Sequence, residues 1–230
     1  MNEPVQNPQR SRAKPSQAGV REPAGRTNDP DRTMANIMAV AMTEFAEKGL
    51  AGARIDEIAA ATQTSKRMIY YYFGSKEGLY TAVLEASYRE MRTHESALNL
   101  DHLDPLEALR KLVAYTFDHH RQSENYIRLV MGENINRGQY LAQSTAIQAL
   151  NVPAISAIQT LYDRGVSSGV FRPGLSALDI HASISALTFF NVSNRHTFGL
   201  IFRFDAASPD WIAQRRHSVI EMVERFVRAY

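Results

Sequence analysis

Residues 54–80 read RIDEIAAATQTSKRMIYYYFGSKEGLY, and the spacing of apolar residues in this stretch decides the fold. Ile55, Ile58 and Ala59 recur on one side of a short helix. Thr62-Gln63-Thr64 breaks that pattern. Ser65 is a helix-capping residue type, and Met68, Ile69 and Phe73 behind it return at helical spacing as far as Gly74. Two short helices, a tight turn and small alanines where the helices cross predict a helix-turn-helix, with the second helix offering its N-terminal residues to base edges in the DNA major groove. The charges agree with this. Between Thr64 and Lys76 lie three cations, Lys66, Arg67 and Lys76, and no acid. Two of them occupy a first helical turn, where the helix dipole favours acids, so an external polyanion explains them better than folding does. Tyr70, Tyr71 and Tyr72 are spread around about 300° of helix, so they cannot all face the core.

The block I-A-x-x-x-x-x-S-x-x-x-I-Y-Y-Y-F-G-S-K-E-x-L-Y within this stretch closely resembles the DNA-binding domain of the TetR family of transcriptional regulators, over residues 29–80. The resemblance implies base-facing roles for Lys66, Arg67 and Tyr70, and phosphate contacts from Ser65, Tyr71, Tyr72 and Lys76. The family usually has Ala-Gly-Val in the turn, where this chain has Thr62-Gln63-Thr64. Gln63 is therefore expected to hold the positive-φ position at some strain, and Thr64 to offer a hydroxyl to a phosphate.

Upstream, residues 1–27 are rich in Pro, Gln, Arg, Gly and Ser without apolar periodicity, and read as a disordered basic tail. It is either a solvated leader or an arm that adds non-specific phosphate attraction. Asp29-Pro30 starts the first helix, with Met34, Ile37, Met38, Ala41 and Phe45 on its apolar face and Gly49 as its stop. Downstream, Ser75 caps a helix with Tyr80, Val83, Leu84, Ser87, Tyr88 and Met91 on one side. Asp104-Pro105-Leu106-Glu107 opens another, Ser123 a third, and a segment from about Leu141 to Arg164 should kink or split at Pro153. Ser176 begins a helix expected to reach about Leu200, and the last runs from about Pro209 to the C-terminus. No strand pattern is present. The expectation is an all-α protein of about nine helices, divided into the tail, a helix-turn-helix domain over residues 28–76 and a helical domain over residues 77–230.

The resemblance implies that this second domain binds a small-molecule effector and dimerises. Val219, Val223, Phe226, Val227 and Tyr230 form a stripe at three- and four-residue spacing, which suits either a dimer interface or a core; the resemblance favours the interface. Asn191 and Asn194 interrupt the apolar face that carries Ile180, Ile184, Leu187 and Phe198. They either line a polar-tipped cavity or bond to neighbouring backbone or across a dimer seam. GENINRGQYL (132–141) and FFNVSNRHTFGLIF (189–202) resemble a subgroup of the family that controls catabolism of aromatic or heterocyclic acids, nicotinate-pathway repressors among them. That implies a flat, anionic or carbonyl-bearing ligand, with Phe117, Arg128, Phe189, Asn191, Asn194 and Arg195 as candidate contacts.

Asp118-His119-His120 does not read as a metal site, because adjacent helical histidines point about 100° apart. The chain has no cysteine, hence no disulfide or thiolate ligand, and no apolar run long enough to span a membrane. It lacks a phosphate-binding loop, a dinucleotide turn and a nucleophile elbow, so neither catalysis nor a cofactor is expected. A net charge of +2 is too small for a broadly coating DNA protein. These readings converge on a cytoplasmic homodimer that binds a palindromic operator in double-stranded DNA. It would repress a catabolic or efflux operon until a small molecule releases it; a ligand-dependent activator or an architectural DNA-binding protein is the alternative.

Overall fold

Asp29 accepts hydrogen bonds at its Oδ1 from the amides of Asp31 (3.1 Å) and Arg32 (3.2 Å), and Pro30 fills the first helical position, so the first helix starts where the sequence places it. The computed structural model describes Met1 and residues 29–229; the rest of the tail expected over residues 1–27, and Tyr230 of the C-terminal stripe, lie outside the described residues. Helix α1 (Pro30–Gly52) breaks from helical geometry at Gly49, whose φ of +67° glycine adopts without a Cβ clash. Then come α2 (Ile55–Ala61), α3 (Lys66–Phe73) and α4 (Lys76–Ser96). Ser65 Oγ accepts from the amide of Met68 at 3.2 Å, and Ser75 Oγ from that of Gly78 at 2.9 Å, capping α3 and α4. Gln63 holds φ +53° in the turn between α2 and α3.

Ile37, Ala41 and Phe45 of α1 close on Ile58, Ile69, Leu79 and Tyr80 to form the first core. Val83 and Leu84 of α4 belong to it too, as do Leu129 and Ile147 further along the chain, so this core extends beyond residue 76.

The rest of the chain is α5 (Pro105–Gln122), α6 (Glu124–Ile135), α7 (Thr145–Ser167), α8 (Ala177–Ser193), α9 (Arg195–Phe202) and α10 (Pro209–Val227). That makes ten α-helices among the described residues, against about nine expected. The difference lies at Asn194, where φ −108° and ψ 1° split the helix expected to run from Ala177 to Leu200. Residues 141–143 form a 3₁₀ turn, so α7 starts at Thr145, and it carries Pro153 as one helix without splitting. Gly165 does not end α7. It is buried because Phe171 packs over it: a Cβ there would lie 1.9 Å from the Phe171 ring.

α5, α7, α8 and α10 bury Leu109, Val113, Phe117, Ile158, Ile180 and Ile184 in a second core. Val219, Val223 and Val227 of the expected interface stripe belong to this core, each at 1% exposure or less, and Phe226 packs against it. A side chain sealed within its own chain has no surface left for a partner, so these three valines are core residues rather than interface residues. Glu224 fixes α10 to α5: Arg110 donates to its two oxygens from Nε (2.8 Å) and Nη2 (3.0 Å). Arg172 N donates to Val227 O and Ala229 N to Val170 O, both at 2.9 Å, which ties down the end of the chain. No helix among the described residues is long and apolar enough to cross a membrane.

Candidate nucleic-acid interface and central cavity

α3 turns one side inward. Ile69 is fully buried and Met68 and Tyr72 are half-buried, whereas Lys66, Arg67, Tyr70 and Tyr71 face out, Tyr71 at 76% exposure. The Tyr71 and Tyr72 rings meet edge to face at 5.4 Å, and Tyr72 leans on Phe73 at 6.3 Å, so the aromatic side is pre-ordered. Lys66 forms an ion pair with Asp56 of α2, whereas Arg67 has no hydrogen bond or ion pair among the described residues. Ser65 uses its hydroxyl oxygen as a cap and keeps its proton free to donate; Thr64 sits half-buried beside it.

Lys76 Nζ donates to Ala51 O at 3.3 Å, which leaves two of its three N–H groups for an external acceptor. Lys76→Ala is therefore expected to weaken binding to every DNA sequence alike and to reduce the logarithmic salt slope by about one. Titrations at several salt concentrations check this, and an effect confined to one sequence would contradict it.

The reading face is held to the rest of the molecule through α6. Arg128 Nε donates to Ala46 O of α1 at 2.7 Å, and Asn125 Nδ2 to Thr43 Oγ1 at 3.4 Å. Glu133, 3% exposed, accepts from Leu141 N at 3.0 Å and lies near the buried Tyr80 hydroxyl, whose pKa is raised by burial and then by this carboxylate. Arg128, a candidate ligand contact, lines none of the cavities described here and instead ties the two parts of the chain together.

A cavity of about 410 Å³ opens between α4, α5, α6, α7 and α8. Tyr88, Tyr126 and Phe189 supply aromatic walls; Arg92, Gln148, Asn151, His120 and His181 supply polar groups. Arg92 is held in place, donating from Nε to Asn151 Oδ1 at 3.0 Å and pairing with Glu95. Of the candidate ligand residues only Phe189 lines this cavity. Phe117, Asn191 and Arg195 line a smaller one of about 150 Å³ against α10, and Asn194 borders its neighbour. There the polar groups are engaged within the chain. Asn191 Nδ2 donates to Leu187 O while its Oδ1 accepts from Arg215 Nε, Asn194 Nδ2 donates to Ser193 Oγ, and Arg195 pairs with Glu124 at 2.6 Å. Both readings left open for the amides describe them: Asn191 and Asn194 border these cavities and are bonded to neighbours within the chain.

Sequence reasoning missed Tyr88, Arg92, Tyr126, Asn151 and His181, because they come from four helices and converge only once those helices pack. The one local signal was a histidine at a buried helical position, His120. Its neighbour Asp118 turns away to accept from Arg216 at 2.9 Å. Among the described residues no group of three His, Cys, Asp or Glu is placed to hold a metal.

Burial holds His120 at about 4 and pulls His119 and His181 below their usual 6.5. Rings kept neutral in the fold but free to charge in the unfolded chain make the unfolded state bind more protons. Their contribution to stability is complete above pH 6.5 and is lost as pH falls toward 4. Thermal midpoints measured at pH 7, 6 and 5 are expected to decline, with His120 alone contributing on the order of 1 kcal/mol per pH unit. A flat profile would contradict the burial of these rings.

Comparison with known proteins gives the following. The family described as "Bacterial regulatory proteins, tetR family" matches residues 37–83, and "Tetracyclin repressor-like, C-terminal domain" matches residues 105–223. The chain is 34% identical over 197 residues to the HTH-type transcriptional repressor NicS of Pseudomonas putida, covering 84% of this chain and 93% of that one. It is 32% identical over 139 residues to the HTH-type transcriptional repressor SCO4008 of Streptomyces coelicolor, covering 60% and 69%. Among solved structures it is similar to the putative transcriptional regulator SCO4942 of Streptomyces coelicolor, with a TM-score of 0.62, 27% identity, and 85% and 98% of the two chains covered.

Proposed function

Since this chain belongs to the TetR family of bacterial regulatory proteins and is a DNA-binding transcriptional regulator, we propose that it acts in the cytoplasm as a homodimeric repressor. Its DNA-reading unit runs from α1 into the first turns of α4. It occupies a palindromic operator of a catabolic or efflux operon and leaves when an aromatic or heterocyclic compound, acids included, enters the central cavity. The repressor assignment is supported by two relatives that are both named transcriptional repressors.

One observation carries the mechanism: α4 and α6, which wall the cavity, are also the helices that pack against and bond to the DNA-reading unit. A ligand that fits better when α4 and α6 are displaced shifts the population toward a form whose two α3 helices are mis-spaced for the operator. Each α3 would contact a half-site, with the half-sites roughly 34–36 Å apart. The dimer face is assigned to the outer side of α8, where Leu178, Ala182, Ala186 and Phe190 are exposed at four-residue spacing, together with exposed Met222 of α10. Ala186→Arg is expected to move the sedimenting species toward the monomer; an unchanged dimer would place the interface elsewhere.

The proposal is tested by a thermal-shift screen of aromatic and heterocyclic acids, with each stabilising compound then added to the protein–operator complex. The expected result is a compound that both raises the melting temperature and dissociates the complex. Stabilising compounds that all leave the complex intact would contradict the mechanism.

A further inference from the structure

His120 stands in the central cavity with one nitrogen committed. Its Nδ1 lies 3.0 Å from Thr188 Oγ1, and that hydroxyl lies 2.8 Å from Ile184 O, one turn back on α8. A hydroxyl has a single proton, and a carbonyl oxygen can only accept. If Thr188 donated to the ring, its oxygen would face the Ile184 carbonyl with no proton between them. Both contacts are satisfied only when Thr188 donates to Ile184 O and His120 Nδ1–H donates to Thr188 Oγ1. In the neutral ring this leaves Nε2 without a proton, as an acceptor. Burial keeps the ring neutral, with a pKa of about 4.

Nε2 has no hydrogen-bond partner among the described residues, and it is not one of the buried polar atoms sealed off without a partner. It therefore keeps some accessible surface, on a residue that lines the cavity. Around the imidazole, the Phe189 ring lies nearly perpendicular with its centroid 6.0 Å away, and the Tyr126 ring lies at a 32° tilt, 6.3 Å away. On the α4 side, Arg92 is already paired with Glu95 and bonded to Asn151, so the cavity's cation is positioned and compensated while its fixed acceptor is not.

Resting on the reading of this cavity as the effector site, we infer that the effector is a flat ring compound bearing an N–H or O–H that it donates to His120 Nε2, and that Thr188, by locking the ring tautomer, is the positioning residue for this selectivity. A ligand with only an acceptor, or a methyl group, at that edge desolvates Nε2 without replacing the lost water and is rejected.

The test uses the full-length protein and a probe set of benzoate, the 3- and 4-hydroxybenzoates and their methyl ethers. Dissociation constants come from calorimetry, and the ring tautomer from nitrogen-15 spectra of histidine-labelled protein. The expected result is a hydroxybenzoate that binds roughly tenfold or more tightly than both benzoate and its own ether. With it come a protonated Nδ1 and a bare Nε2, signals that are missing in His120→Leu. His120→Leu should abolish the preference for the hydroxyl. Thr188→Val, close in shape and keeping the histidine, should weaken that preference and mix the tautomers, which separates a positioning role from a loss of folding. A proton on Nε2 in the unliganded protein, or equal affinity for hydroxyl and ether, overturns the inference while leaving the cavity reading intact. If no benzoate binds at all, the aromatic reading of the cavity falls, and this inference falls with it.

Discussion

Replacing Gly78 by alanine is expected to lower operator affinity about a hundredfold or more, while effector binding in the central cavity persists. A Cβ at Gly78 would lie 2.1 Å from Phe73 O, far inside the roughly 3.3 Å at which carbon normally meets a carbonyl oxygen. The atom it meets is backbone, so no rotamer relieves the clash. Alanine would gain up to about 1 kcal/mol of helix propensity over glycine, which is less than the overpacking cost at a contact this short. Phe73 ends α3, and its carbonyl also accepts from Ser75 N at 2.8 Å, so the reading helix must swing or the turn before α4 must open. Anisotropy titration with operator DNA, alongside calorimetry of the effector site, checks this. Wild-type operator affinity in the variant would show that the position of α3 is not fixed by this contact.

Arg67→Ala is the second large effect, and it acts on recognition without disturbing the fold. The guanidinium is exposed on the outer side of α3 and has no partner among the described residues, so removing it costs the unbound protein almost nothing. If it reads a guanine through two hydrogen bonds, about 1–3 kcal/mol of specific binding disappears, roughly 5- to 150-fold in affinity. Binding to scrambled duplex should change far less. Lys66→Ala is the contrast: its ammonium is already paired with Asp56, and the pair must part before Lys66 meets DNA, so the net loss is smaller. Competition between operator and scrambled duplex gives both numbers. An unchanged ratio for Arg67→Ala would remove that residue from the base-reading set.

The legible part of this molecule was the part built from contacts close in sequence. Caps at Asp29, Ser65, Ser75 and Asp104 sit where the residue types placed them, because a cap is decided within three or four residues. The positive φ of Gln63 was equally local. The outward face of α3 could be read because one buried isoleucine, Ile69, fixes which side turns in.

What the sequence left undecided depends on packing partners. An apolar stripe at heptad-like spacing suits a core and an interface equally, and only the presence of α5 and α8 beside α10 put Val219, Val223 and Val227 inside. The amides of Asn191 and Asn194 were equivocal for the same reason, since their partners include Arg215 from another helix. Arg128 is further from legible still: its acceptor is a backbone carbonyl 82 residues earlier in the chain, for which no side-chain pattern gives a sign. The cavity residues follow this rule. Tyr88, Tyr126, Asn151 and His181 are each unremarkable on their own helix and become a site only where four helices meet.

Nuclease protection of the DNA upstream of the protein's own gene, at low salt, tests most directly whether the tyrosine-bearing helix enters duplex DNA as one of a pair. The account predicts a single short protected palindrome, filled by a dimer and lost in Arg67→Ala. Absence of protection, or a footprint that survives Arg67→Ala unchanged, would contradict it.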